Sequence, residues 1–570
     1  MIRLFQTHRI RRETELEGMW DFTTVPDDER LLPPSTYEYT MPVPGCWDVH
    51  PDFQTYRGVG WYRRIVRISR SGPVRFEFHG ISHTADIYLD GRPIGHHYNA
   101  YTPFSLVIAD IAEGEHELAI RVDNSFSAAS ALHVPNDYYT YGGIIRPAVL
   151  EEITDVFVER VHFTPIFEKG AWSGTINVMV RNVSTIGRTI EIKATLADKD
   201  FTVGIAMIDA DSSAELSVTL DFPEVTPWSH EAPQLYVLET QLFDQESAEP
   251  LDDWIERIGF RVISTEGGQI RLNGKEIRLK GVCRHEDHPL VGAVFPLQLM
   301  AADLDLIADM GANAVRTTHY PNDRRFLDLC DERGIYVWEE NHARGLGLEQ
   351  MRHPLFAEQC ENCNREMVEQ HYNHPSILIW GILNECSSET EEGRTHYERQ
   401  LRQIRSMDAS RPLSYASHHH FTDICLELAD IVSFNVYPGW YTEDMPGNLS
   451  DRLKAWADQS GGADKPFILS EFGADGYYGF RSPARVKGSE ERQADIVGQA
   501  LEDFLERPYI SGMFIWQFCD CRVTEGTGWL LARAMTKNSK GIVDEYRRPK
   551  LAYEMVRSFY RHAIEVDRML

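Results

Sequence analysis

Beyond about residue 265 the chain begins to alternate short apolar runs with amphipathic helical ones, and this alternation constrains the fold more than any other feature. The runs are EIRLKGVCR from Glu276, ANAVRTTH from Ala312, IYVWEE from Ile335, ILIWGILNE from Ile377, PLSYAS from Pro412, IVSFNVY from Ile431, PFILSEFG from Pro466 and ISGMFIWQF from Ile510. Helical stretches such as QLMAADLDLIADMGA after Pro296 and ERQADIVGQALEDFLER after Glu490 separate them. Adjacent parallel strands need a long crossover, usually a helix, so the pattern means βα units around a parallel sheet. Eight strands in about 300 residues is the size of a (β/α)8 TIM barrel, expected here over residues 265–570.

The preceding 264 residues follow a different grammar. Val74, Phe76 and Phe78 alternate with charged residues, Gly72-Pro73 and Gly80 punctuate the run, and Leu118, Ile120 and Val122 repeat the alternation. A period of two with frequent turns reads as antiparallel strands. We expect a jelly-roll β-sandwich over 1–154. A second set, Ile176/Val178/Val180, Ile190/Ile192/Ala194 and Leu216/Val218/Leu220, predicts an immunoglobulin-like sandwich over 155–264.

Active sites of TIM barrels form at the carboxyl ends of the strands. Two strand candidates end in glutamate, Glu385 on the fourth and Glu471 on the seventh. Either could simply cap a helix or pair with an arginine; two together, with Asn384 beside the first, are the minimal equipment for glycoside hydrolysis. His285-Glu286-Asp287-His288, His319-Tyr320, Glu339-Glu340-Asn341-His342, Asn435-Val436-Tyr437 and Trp516 close other strands, offering hydrogen-bonding groups and an aromatic face for a sugar. Such clusters also suit divalent metal, the rival chemistry, but no HExxH pair or compact ligand set appears and no metal is expected. His418-His419-His420 reads as a loop, and Cys360/Cys363, the only CxxC, lies in a helix-like stretch without a second pair.

Charge narrows the partners. With 57 basic and 87 acidic residues the net charge is −30, a field that repels nucleic acid and anionic membranes. No apolar run has signal-peptide or membrane-spanning length, and nine dispersed cysteines suit a reducing compartment, so a cytoplasmic protein is expected.

RGVGWYRR (57–64), ADIYLDGRPIGHHYNAYTPF (85–104), LKGVCRHEDHP (279–289), ANAVRTTHYPND (312–323), WGILNE (380–385) and SEFG (470–473) resemble glycoside hydrolase family 2. The resemblance spans essentially the whole chain and implies the order jelly roll, immunoglobulin-like sandwich, TIM barrel. It implies Glu385 as acid/base, Glu471 as nucleophile and Asn384 as partner of the sugar 2-hydroxyl. Asn538-Ser539-Lys540 matches the Asn-X-Lys motif by which β-glucuronidases hold the sugar carboxylate; a uronate entering so acidic a protein needs a local cation. Asp137 looks like the aspartate that the jelly roll lends to the C4 side, Arg533 like the arginine placed beyond Trp516, and His319, Asn435, Tyr437 and Tyr441 like pocket residues. Cys283 departs from the family's usual Asn, and Arg344 is an unexpected cation near the third strand's end.

The resemblance implies an exo-acting, retaining β-glycosidase without a cofactor, acting on small-molecule β-D-glucuronides and forming a homo-oligomer. A β-galacturonidase, or a dual β-hexuronidase, is the near alternative; a family 2 β-galactosidase and a catalytically silent sugar-binding protein are the remoter ones. Repulsion from Glu471 is expected to raise the pKa of Glu385.

Overall fold

The computed structural model describes residues 2–569 except 26–31, 245–248, 525–527, 529, 531 and 532. Its carboxyl-terminal part is an eight-stranded parallel barrel: β1 (Leu279–Arg284), β2 (Ala314–Thr317), β3 (Tyr336–Glu340), β4 (Ile377–Ile382), β5 (Leu413–Tyr415), β6 (Val432–Asn435), β7 (Phe467–Phe472) and β8 (Ile510–Ile515). β1 pairs with β8, and an isolated parallel bridge between Ser417 and Phe434 brings β5 against β6, so the sheet closes. Each strand is buried along its length, which is why the sequence reads as continuous apolar runs. Local chemistry sets the helix ends: Asp323 accepts from the backbone N–H of Arg325 to start the helix Arg324–Arg333, and Gly334, at φ 69°, ends it. Between β5 and β6 the chain makes only the 3-10 turn Leu426–Leu428.

The first sandwich sets a four-stranded and a six-stranded antiparallel sheet around Trp20, Phe22, Phe76, Phe78 and Ile120. The second packs a three-stranded sheet on a four-stranded one. In its strand Ala171–Asn182, buried Ile176, Val178 and Val180 alternate with partly exposed residues, the expected period of two.

Buried arginines tie the parts together. Arg11 bridges Glu151 of the first sandwich (2.8 Å) and Asp252 of the second (2.7 Å). Arg3 reaches Glu256 and the barrel's Asp328, and Arg146 pairs with Glu286 at 2.8 Å. These contacts hold the first sandwich on the barrel mouth, where its segment 136–142 is buried. Thr524 fixes the tip, donating its backbone N–H to Asn136 O and accepting from Asn136 N. Among the described residues no helix is long and apolar enough to cross a membrane.

Candidate active site

Glu471, on β7, is 2% exposed and its carboxylate is held from two sides. Arg316 Nη1 donates to Oε1 at 3.1 Å and Tyr437 Oη donates to Oε2 at 2.7 Å. Arg316, on β2, is fully buried; it also clamps Glu340 of β3 and donates to Asn384 Oδ1 at 2.8 Å. His319 Nδ1 lies 2.7 Å from Glu340, and its ring stacks on Trp516 with centroids 4.9 Å apart.

Glu385 follows β4, where Leu383 and Glu385 both take left-handed backbone conformations (φ 45° and 53°). Non-glycine residues rarely do so, and the two turns end the strand beside the pocket. Asn435 Nδ2 donates to its Oε1 at 2.9 Å, and Arg344 Nη2 to its Oε2 at 3.3 Å. Arg344 in turn donates to Asn136 Oδ1 at 2.6 Å, so a first-sandwich residue fixes a barrel cation on the second glutamate. Asn384 accepts from Arg316 and Asn435 through Oδ1, which leaves its buried Nδ2 without a protein acceptor among the described residues.

The two carboxyls are unequal. Burial pushes Glu385 up, but Arg344, His418 and the Asn435 hydrogen bond outweigh it and hold its pKa below the usual value. Burial, then repulsion by Glu385, raises Glu471 to about 8 despite Arg316 and Tyr437. Repulsion was expected to fall on Glu385; it falls on Glu471, because Arg344 compensates Glu385 at contact distance.

A second cluster gathers Asp137, Arg533, Asn538 and Lys540. Arg533 Nε and Asn538 Nδ2 each donate to Asp137 at 2.8 Å. Lys540 is 1% exposed, its ammonium 5.1 Å from the Tyr441 ring and 5.4 Å from Trp440. Tyr441 itself is 59% exposed, at the rim.

The residues singled out from sequence thus fall into two adjoining groups: Glu385, Glu471, Asn384, His319, Asn435, Tyr437, Trp516 and Arg344, and Asp137, Asn538, Lys540, Arg533 and Tyr441. Sequence reasoning missed Arg316 and Asn136, and named Glu340 only as one of the polar groups that close the third strand. An arginine inside the apolar run Ala-Val-Arg-Thr was a usable signal, whereas nothing local marks Asn136. Of the remaining motifs, His420 Nε2 contacts Asn435 O at 2.8 Å, and Cys360 and Cys363 are buried and unpaired in the helix Phe356–His371. The groups of acids and histidines able to share an ion, among the described residues, include Asp328, Asp331 and His374 but neither active-site glutamate.

Comparison with known proteins places these features in context. The sugar binding domain of glycosyl hydrolases family 2 matches residues 14–153, the family's middle domain 156–261 and its TIM barrel domain 263–564. The chain is 48% identical to a family 2 β-galacturonidase from Eisenbergiella tayi, whose structure with galacturonate superposes with a TM-score of 0.94 over 99% of both chains. A Bacteroides uniformis β-glucuronidase is 26% identical, with a TM-score of 0.86 over 97% of this chain and 69% of that one. Human β-glucuronidase is 26% identical over 96% of this chain and 90% of its own length.

Proposed function

Because the chain belongs to glycoside hydrolase family 2 and is a glycoside hydrolase, we propose that it is an exo-acting, retaining β-hexuronidase that prefers β-D-galacturonides. The observation that carries the reading is the juxtaposition of the Glu385/Glu471 pair with a buried cation, Lys540, flanked by Asn538. The one carboxylate contact of Lys540 among the described residues, with Asp475, is loose at 3.4 Å, and a uronate carboxylate can pair with the ammonium more closely, which a neutral sugar cannot.

In this reading Glu471, steadied by Arg316 and Tyr437, attacks the anomeric carbon while Glu385 protonates the departing glycosidic oxygen. A covalent glycosyl-enzyme results. Esterification removes the charge of Glu471, so Glu385 ionises readily and deprotonates the water that releases the sugar with retained configuration. Attack requires the proton on Glu385 and the charge on Glu471, the reverse of the order that Arg344 and burial favour. A sugar hydroxyl that draws Arg344 away from Glu385 produces that reversal. Asn384 Nδ2 is free to donate to the 2-hydroxyl.

The sequence ranks glucuronides first, and the relatives near 26% identity support that substrate. The C4 epimers differ only in the direction of one hydroxyl, so discrimination falls to donors beside Asp137. Arg344 is tied to Asn136, the residue before Asp137, and this supports the galacturonide together with the 48% likeness to the Eisenbergiella enzyme. We further infer a cytoplasmic homo-oligomer, with no nucleic-acid or membrane partner; the nine buried, unpaired cysteines support the compartment. The test is kcat/KM for p-nitrophenyl β-galacturonide, β-glucuronide, β-galactoside and β-mannoside. We expect the galacturonide to lead, the glucuronide to follow and the neutral sugars to trail. A neutral glycoside preferred over both uronides refutes the uronide reading.

A further inference from the structure

Asp475 lies four residues beyond Glu471 and belongs to neither group of residues described so far. Its Oδ1 is 3.4 Å from Lys540 Nζ and its Oδ2 is 3.6 Å from Arg533 Nη1. It also lines a cavity of about 420 Å3 with Trp440, Tyr441, Tyr477, Lys487 and Arg533. The buried and half-buried charges at this end of the pocket balance, Arg533 and Lys540 against Asp137 and Asp475, while Lys487 lies exposed over the Trp440 ring, where water screens it. Asp137 is answered by Arg533 and Asn538 at 2.8 Å, a close and charge-assisted arrangement. Lys540 has only the looser contact with Asp475 as a carboxylate partner among the described residues. Three aromatic rings within 6.0 Å screen its ammonium from water.

We propose that Asp475 is a specificity-determining residue that serves as the resident counterion of Lys540, yielding it to the substrate carboxylate and reclaiming it when the free sugar acid leaves. The proposal rests on the uronide reading. A bound uronate sets three carboxylates against the two shielded cations, with only the exposed Lys487 besides, so Asp475 opposes every uronate, and like charges at short range in a partly desolvated site repel strongly. The opposition weakens substrate binding and product binding alike, because both carry the same carboxylate. Its advantage is release: the hydrolysed hexuronate does not stay locked on a naked buried ammonium. A residue that merely positioned Lys540 would act in the opposite direction, since its loss would weaken uronate binding.

The test is competitive inhibition by D-galacturonate and by D-galactose of wild type, Asp475→Asn and Asp475→Ser, with kcat and KM for p-nitrophenyl β-galacturonide and a thermal melt for each. In both variants the galacturonate Ki and the uronide KM should fall roughly tenfold, kcat should fall as product release slows, and the galactose Ki should stay within about twofold. A galacturonate Ki that is unchanged or higher in a variant that melts like wild type overturns the proposal. Two substitutions guard against one that does not fold. Wild-type enzyme inhibited by galactose but not by galacturonate would overturn the uronide reading and this proposal together, whereas galacturonate inhibition that Asp475 does not oppose overturns this proposal alone.

Discussion

Replacing Arg344 with Gln removes a cation while retaining a polar side chain. Arg344 Nη2 sits 3.3 Å from Glu385, with side chains 14% and 18% exposed. Two unit charges about 4 Å apart at an effective dielectric of 20 interact by roughly 4 kcal/mol. Partial exposure and the competing Asn136 hydrogen bond reduce that to about 1–2 kcal/mol, or roughly one pH unit. Arg344 lowers the pKa of both glutamates, so its loss raises both. The two carboxyls titrate as a pair whose singly protonated form is active. The alkaline limb of kcat/KM marks loss of the last proton, expected near pH 8 in wild type. In Arg344→Gln the acid limb, where Glu385 takes up its proton, should move up by roughly one unit, and the alkaline limb, which follows Glu471, should move the same way by less. If the arginine also contacts the C4 hydroxyl, kcat/KM at the optimum should fall roughly 10- to 100-fold on the galacturonide and less on the glucuronide. The assay is kcat/KM for both uronides from pH 4.5 to 9.5. An acid limb that stays in place or moves to lower pH refutes the electrostatic reasoning, and an equal loss on both epimers refutes the role at C4.

Glu471→Gln should lose nearly all turnover, whereas Glu385→Ala should recover activity on substrates with good leaving groups when azide is supplied, with a β-glycosyl azide as the product seen by NMR. Lys540→Ala should lower kcat/KM on uronides by roughly 30- to 1000-fold and leave any activity on a neutral β-galactoside nearly unchanged; parallel losses on both would show that the residue acts on the fold rather than on the carboxylate. Arg11→Ala strands Asp252 in the interface between the sandwiches and leaves Glu151 with Arg75 alone, at a cost of about 3–5 kcal/mol, and should lower the thermal midpoint by several degrees; an unchanged melt would mean the bridge contributes nothing net.

Much of the architecture was legible in the chain because it follows from short-range periodicity. Fully buried strands must be apolar throughout and sandwich strands must alternate, so Ile377–Ile382 and Ala171–Asn182 announce different environments before any contact is known. Glu385 and Glu471 stood out for the same reason: a carboxylate ending an apolar run is costly to bury and needs a purpose. The sequence by itself therefore determined the strand count, the two glutamates and, through one short motif, the cation Lys540. Tertiary structure decided what those groups experience. Asn136 and Arg344 are 208 positions apart, and only the docking of the first sandwich on the barrel brings Arg344 to rest between Asn136 and Glu385. Arg316 reads as one polar residue in a strand until barrel closure sets Glu340, Asn384 and Glu471 around it. Which glutamate holds the proton, and which acid answers Lys540, depend on distances of a few ångströms between distant segments. Charge interactions inside a protein are set by such distances and by burial, and a linear pattern encodes neither.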